Sequence, residues 1–113
     1  EVIFCGRSNV GKSYLLNNIY KFKKLNRVSK KPGSTKKLYI HKLKNGHRVI
    51  DTPGYGYAKF NVDAKKMLTG MTFDYLRFST RVVKVYLLIN SHHGIKNNDI
   101  VFLKRLSVYN VKV

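Results

Sequence analysis

The stretch VIFCGRSNVGKS, residues 2–13, decides how this chain folds. Val2–Cys5 is a short, wholly apolar run, as expected of a strand buried on both faces of a parallel sheet. Gly6-Arg7-Ser8-Asn9-Val10-Gly11-Lys12-Ser13 fits G-x-x-x-x-G-K-[ST] at every fixed position. Leu15, Leu16, Ile19 and Tyr20 follow at helical spacing, so a helix starts near Ser13. Strand, glycine turn and helix together form a phosphate cradle. The glycines let successive N–H groups converge on phosphate oxygens at the positive end of the helix. Lys12 brings an ammonium to the outer phosphates, and Ser13 offers a hydroxyl to Mg²⁺. A plain glycine turn between strand and helix is the competing reading, disfavoured by the complete match.

Working outward, residues 21–37 (KFKKLNRVSKKPGSTKK) are basic without a clear period and read as a long loop. LYIHKLK alternates apolar and polar residues, and Asn45-Gly46 separates it from HRVID. That pattern predicts antiparallel strands at about 38–44 and 47–51. Residues 52–62 hold Pro53, Gly54 and Gly56 and read as loop. From Asp63, the positions Ala64, Met67, Met71, Tyr75 and Phe78 step by three or four, predicting an amphipathic helix. VVKVYLLIN (82–90) is a second strand of the buried type. Asn97, Asn98 and Asp99 suit a helix start, with Ile100, Leu103 and Leu106 as its apolar side. The final VKV resembles the beginning of a strand. The order β-α-β-β-α-β-α-β predicts an α/β fold, with helices on both faces of a mostly parallel sheet and one antiparallel hairpin.

The 113 residues suffice for one domain, and 43% hydrophobic with 12% aromatic content favours a folded core over a disordered basic tail. No apolar run approaches the roughly 20 residues of a membrane-spanning helix. The chain opens on an apparent core strand, so no secretory signal is expected within it, and a targeting segment upstream stays open. A lone cysteine, Cys5, excludes an internal disulfide, and its apolar setting predicts a buried, inert thiol. Charge is the unusual feature: 23 Lys and Arg against five acids give +18. Such an excess favours polyanionic partners, nucleic acid ahead of anionic membrane surfaces. A solvated lysine-rich surface is the plainer alternative.

Two further elements stand in order after the phosphate loop. Thr35, within KKPGSTKK, can supply a second hydroxyl to Mg²⁺ when a γ-phosphate is present, so its loop would order and loosen with the nucleotide. Asp51-Thr52-Pro53-Gly54 is D-x-x-G. Asp51 at a strand end can face the metal through water, and the Gly54 N–H can meet the γ-phosphate. Alone, an aspartate before a Pro-Gly turn is a common structural event.

With these elements in series, the chain resembles the EngB (YihA/YsxC-type) family of Ras-like P-loop GTPases. GRSNVGKS, LLNNIYKFKKLNRVSKKPGST, DTPGYGYAK and LLINSHHG carry the resemblance, which spans essentially all 113 residues. It implies a three-layer GTPase fold, truncated on its C-terminal side. It also implies that Gly6 to Ser13, Gly33, Ser34, Thr35, Lys36, Lys37, Asp51, Thr52, Pro53 and Gly54 contact GTP or GDP. Ser13 and Thr35 would hold Mg²⁺ with Asp51 nearby, and Lys12, Thr35 and Gly54 would act on the γ-phosphate. By analogy with GTPases carrying G-R-x-N-x-G-K-S, Asn9 would help to hold K⁺; tolerance of a left-handed turn is its other reading.

The chain departs from the family pattern at several positions. Ser34 stands where the family has a basic residue, and Asn90 and His92 stand where it has an aspartate and an arginine. The guanine-reading T-K-x-D is expected beyond Val113, so residues 1–113 are expected to hold nucleotide through its phosphates. Tyr55 replaces the glutamine that orients water in Ras-like enzymes, predicting slow intrinsic turnover.

The resemblance implies a monomeric, GTP-hydrolysing switch for assembly of the large ribosomal subunit, linked to cell division. Its compartment would be the cytoplasm, or an organelle (mitochondrion or plastid). Lys21, Lys23, Lys24, Arg27, Lys30 and Lys31, with Lys36 and Lys37, would put ribosomal RNA contact beside the nucleotide. The alternative is an RNA- or ribosome-binding module that uses nucleotide structurally with negligible hydrolysis. An ATP-dependent enzyme is disfavoured by P-G-S-T and D-x-x-G in series.

Overall fold

The computed structural model describes residues 1–7, 10–20, 38–56 and 62–113, the side chains at 62–65 and 68 excepted. The elements are β1 (Val2–Gly6), α1 (Lys12–Tyr20), β2 (Tyr39–Lys42), β3 (Arg48–Asp51), α2 (Val62–Phe78), β4 (Lys84–Leu88) and α3 (Asn97–Leu106). The strands form one sheet in the order β2-β3-β1-β4. β1 pairs in parallel with β3 and β4, while β2 pairs antiparallel to β3. Lys112 bridges Lys84 in parallel, and Val85 N–H donates to Lys112 O at 2.8 Å, so the final VKV lies along β4.

Alternation along the central strand builds three layers. Ile3 and Cys5 face one side, where Phe73 and Leu76 of α2 and Phe102 and Leu106 of α3 cover them together with Ile50 and Val85. Phe4 faces the other side and packs with Val49 and Leu16 of α1. Leu16 is fully buried, and each such side chain contributes about 1.5–3 kcal/mol. Ring contacts join the α2–α3 layer: Phe73 lies 5.0 Å from Phe102, and the Arg105 guanidinium sits 4.1 Å above Phe73.

The hairpin forms around Asn45-Gly46, but the strands are shorter than expected. Leu43 to His47 make the turn, with Gly46 N–H donating to Leu43 O at 3.0 Å and His47 N–H to Asn45 Oδ1 at 3.0 Å.

Three packing faces differ from expectation. On α2, Met67 and Phe78 are exposed while Thr72, Phe73 and Leu76 are buried. Apolar residues surround this helix, and Phe73 wins the inward position by packing between Phe102 and Tyr109. On α3, Phe102 takes the place expected of Ile100, which is exposed. β4 is not buried on both faces either. Val85 is buried but Tyr86 is exposed, its outer side open and its inner side stacked on Phe4 at 4.9 Å.

Candidate functional site

The phosphate loop lies where β1 hands over to α1. Gly6 ends the strand, and a Cβ there would come within 2.8 Å of Val10 Cγ1 and 3.2 Å of the Leu88 carbonyl oxygen. Gly11 adopts φ +95°, a left-handed conformation that side-chain-bearing residues rarely take. Val10 N–H donates to Arg7 O at 3.2 Å, and Leu15 N–H to Gly11 O at 2.9 Å, which starts the helix. The first helical N–H groups therefore point out at the loop, and the helix dipole adds positive potential there.

Lys12 and Asp51 meet directly, the ammonium donating to Asp51 Oδ1. Both are buried, with Lys12 6% and Asp51 1% exposed. Parallel pairing puts Asp51 at the end of β3 beside Phe4 of β1, one strand away from the loop that carries Lys12. The chain beyond β3 is pinned along β1. Thr52 donates its hydroxyl to Phe4 O at 2.8 Å and its N–H to the same oxygen at 3.3 Å, and Tyr55 N–H donates to Gly6 O at 3.2 Å. Gly6, Arg7, Val10, Gly11, Lys12, Ser13, Asp51, Thr52, Pro53 and Gly54 are thus carried on two adjoining strand ends. Ser8, Asn9, Gly33, Ser34, Thr35, Lys36 and Lys37, with the basic run 21–31, lie outside the described residues.

Beneath the loop, Cys5 is fully buried, and burial pushes its thiol up to about 12 against opposing pulls from Thr52 and Lys12. At pH 7 it is a neutral core side chain. Two other acids are engaged elsewhere. Glu1 accepts from the hydroxyls of Tyr75 at 2.6 Å and Ser79 at 2.9 Å, and Asp99 accepts from Tyr55 and from the Lys96 N–H. Asp51 is the acid that faces the phosphate-loop lysine. Asn90 has a structural use: its Oδ1 accepts from His92 N–H at 2.8 Å and His93 N–H at 3.3 Å, closing the turn after β4.

Tyr55 does not occupy the place of a water-orienting side chain. Its ring is buried against Phe102 at 4.4 Å, and its hydroxyl donates to Asp99 Oδ1 at 2.6 Å. Burial, followed by the bond to Asp99 and that carboxylate's charge, pushes the phenol far above its ordinary value of 10. The sequence carried no local signal for this, because Asp99 is 44 residues away. His41 is a second residue missed. It sits buried on β2 opposite Val49, and burial lowers it from 6.5, opposed by the Asp51 carboxylate.

As to chemistry, the corner offers anions the outward N–H groups of a helix N-terminus and an ammonium that Asp51 now neutralises, with the Asp51 carboxylate as a hard oxygen ligand beside it. Ser13 hydroxyl and Asp51 carboxylate are donors of the kind Mg²⁺ takes, one or two protein oxygens alongside phosphate oxygens. Among the described residues no cluster of three His, Cys, Asp or Glu side chains offers a self-contained metal cage.

Comparison with known proteins agrees with this geometry. Residues 1–112 match the family profile described as 50S ribosome-binding GTPase. "Probable GTP-binding protein EngB" of Clostridium kluyveri is 42% identical over 110 residues, covering 97% of this chain and 56% of the relative. The protein of the same name from Bartonella tribocorum is 44% identical over 108 residues, covering 88% of this chain and 50% of the relative. The chain thus spans about half the length of the curated relatives it matches. The crystal structure of "a probable GTP-binding protein engB" superposes with a TM-score of 0.67 at 24% identity, over 98% of this chain and 67% of that one, a likeness of fold. The described helices include none long and apolar enough to cross a membrane. A phosphate loop whose lysine meets the D-x-x-G aspartate, on a sheet of this order and in a sequence of this likeness, leaves one assignment: the chain belongs to the family of 50S ribosome-binding GTPases, and the relatives it matches there carry the name EngB.

Proposed function

We propose that residues 1–113 are the phosphate-binding part of a GTPase domain, in a protein that binds and hydrolyses GTP as a switch in assembly of the large ribosomal subunit. The observation that carries this reading is the contact between Lys12 and Asp51, which joins the phosphate loop to the D-x-x-G turn. Phosphate oxygens entering the corner compete with Asp51 for the Lys12 ammonium, and the freed carboxylate then faces the metal side. Ser13 and Thr35 would ligate Mg²⁺ directly and Asp51 through water. Bound there, the ion neutralises charge between the outer phosphates. Gly54 N–H meets the γ-phosphate. Asn9 is the proposed K⁺ ligand, placing positive charge where other GTPases use an arginine.

Intrinsic turnover is slow in this reading, because Tyr55 is held in the core by Phe102 and Asp99 and orients no water. The same observation favours a second reading, in which nucleotide is held structurally by an RNA- or ribosome-binding module. The protein acts as a monomer, in the cytoplasm or in an organelle, with ribosomal RNA of the large subunit as its partner.

The test uses the complete protein with Mg²⁺. GTP should displace a fluorescent GDP analogue where equal ATP does not, and Lys12→Ala should abolish binding. Turnover should rise on adding 50S subunits, and in KCl over NaCl. Equal competition by ATP overturns guanine recognition. Turnover unmoved by 50S subunits supports the structural reading instead.

A further inference from the structure

Tyr55, the residue immediately after D-x-x-G, is tied on three sides. Its N–H donates to Gly6 O, and the residue pairs with Arg7 as a short parallel bridge at the base of the phosphate loop. Its ring lies on Phe102 with 16° between planes. Its hydroxyl donates to Asp99 Oδ1 at 2.6 Å. The second oxygen of that carboxylate, Oδ2, accepts the Lys96 N–H at 2.8 Å and so closes the first turn of α3. Asp99 is 1% exposed. One buried carboxylate therefore holds both the turn that follows β3 and the start of a helix. Next to it, the Asn98 side chain lies over Gly56. Arg7 Nε, buried on the same side of Gly56, meets no acceptor among the described residues.

We propose that Asp99 is a positioning residue for the phosphate site, one that couples the Asp51–Gly54 turn to the first turn of α3. The helix start is then held more firmly when the turn engages a γ-phosphate. This rests on the nucleotide reading above and adds a route out of the site. Gly54 precedes Tyr55, so the bond from the Tyr55 hydroxyl to Asp99 holds the backbone that presents the Gly54 N–H, and a phosphate engaged there holds that bond closed in turn. Bonds to a buried carboxylate are short and strong, so the pin transmits displacement rather than absorbing it. The cap of α3 is closed by Asp99 in this structure, and in the proposal it opens more often when no γ-phosphate is bound.

The experiment measures binding of GDP and of guanosine 5′-(β,γ-imido)triphosphate to the complete protein. Tyr55→Phe keeps the ring on Phe102 and removes only the hydroxyl, while Asp99→Asn keeps the shape and removes the charge. Both variants should bind GDP within about twofold of wild type and lose about tenfold of the preference for the triphosphate analogue. The double variant should lose no more than either single one. Amide exchange at residues 97–100 should slow on triphosphate binding in wild type and not in Tyr55→Phe. A purely structural role would lower thermal stability and weaken both nucleotides equally, which overturns the coupling. An unchanged triphosphate preference in folded Tyr55→Phe overturns it as well. Wild type that binds neither nucleotide overturns the nucleotide reading first and the coupling with it.

Discussion

Lys12 and Asp51 stand 39 residues apart in sequence and in direct contact in the fold, both withdrawn from water. Each removes the cost of burying the other, so deleting one partner strands a charge in the core at about 3–5 kcal/mol. Lys12→Ala and Asp51→Ala are therefore expected to be strongly destabilised by that amount in urea unfolding. The apolar pair Lys12→Met with Asp51→Leu should recover most of the loss while leaving the nucleotide site dead. Single-variant costs that simply add in the double variant would count against the pairing. At this scale the sequence singled out Lys12 and Ser13 by the spacing of the glycine motif, and Asp51 by its place in series after that motif. It placed Asp99 at a helix start but was silent about the bond between Asp99 and Tyr55, two residues brought together only by packing. Tyr55 reads in the sequence as a poor substitute for a water-orienting glutamine, and in the fold it is a core side chain whose hydroxyl bonds Asp99.

The hairpin between β2 and β3 sets where Asp51 stands, since Tyr39 pairs with Asp51 and His41 with Val49 in one register. Its turn depends on Gly46 at φ +87°, where a Cβ meets nothing within 4 Å. Gly46→Ala thus loses through backbone conformation rather than collision, by about 1–2 kcal/mol, and Gly46→Asn loses less because asparagine tolerates the left-handed region. Thermal unfolding of the two variants measures this, and an alanine variant as stable as the asparagine one would contradict it. Element order, strand pairing and the turn were legible because hydrophobic period and the Asn-Gly pair are local signals. The inward faces of α2 and α3 were not. α2 offers Met67, Met71, Phe73, Tyr75, Leu76 and Phe78 around its circumference, so spacing alone admits more than one stripe. Contact between Phe73 and Phe102 across two helices chooses among them.

For the molecule as a whole, the +18 charge is less compensated at the surface than its composition implies. Of the five acids, Asp51 and Asp99 are buried, and the Glu1 side chain is 4% exposed and shared among Tyr75, Ser79 and Arg48. Asp51 pairs with the buried Lys12, while Asp99 and Glu1 accept from hydroxyls and a backbone N–H, so these three carboxylates lend little counter-charge to the surface. Two consequences of opposite sign follow from one variable. Self-repulsion among like charges destabilises the compact state, and salt screens it. Raising NaCl from about 20 to 200 mM should therefore raise the unfolding temperature, with the midpoint followed by circular dichroism. Over the same range, the proposed binding to ribosomal RNA should weaken, because phosphate contacts release counterions. A surface making about six such contacts loses about 10³-fold in affinity between roughly 50 and 200 mM. A fold stabilised by salt together with RNA affinity indifferent to it would separate the two effects. The positive surface would then be a solvation feature, and any ribosomal contact would rest on shape and hydrogen bonds instead.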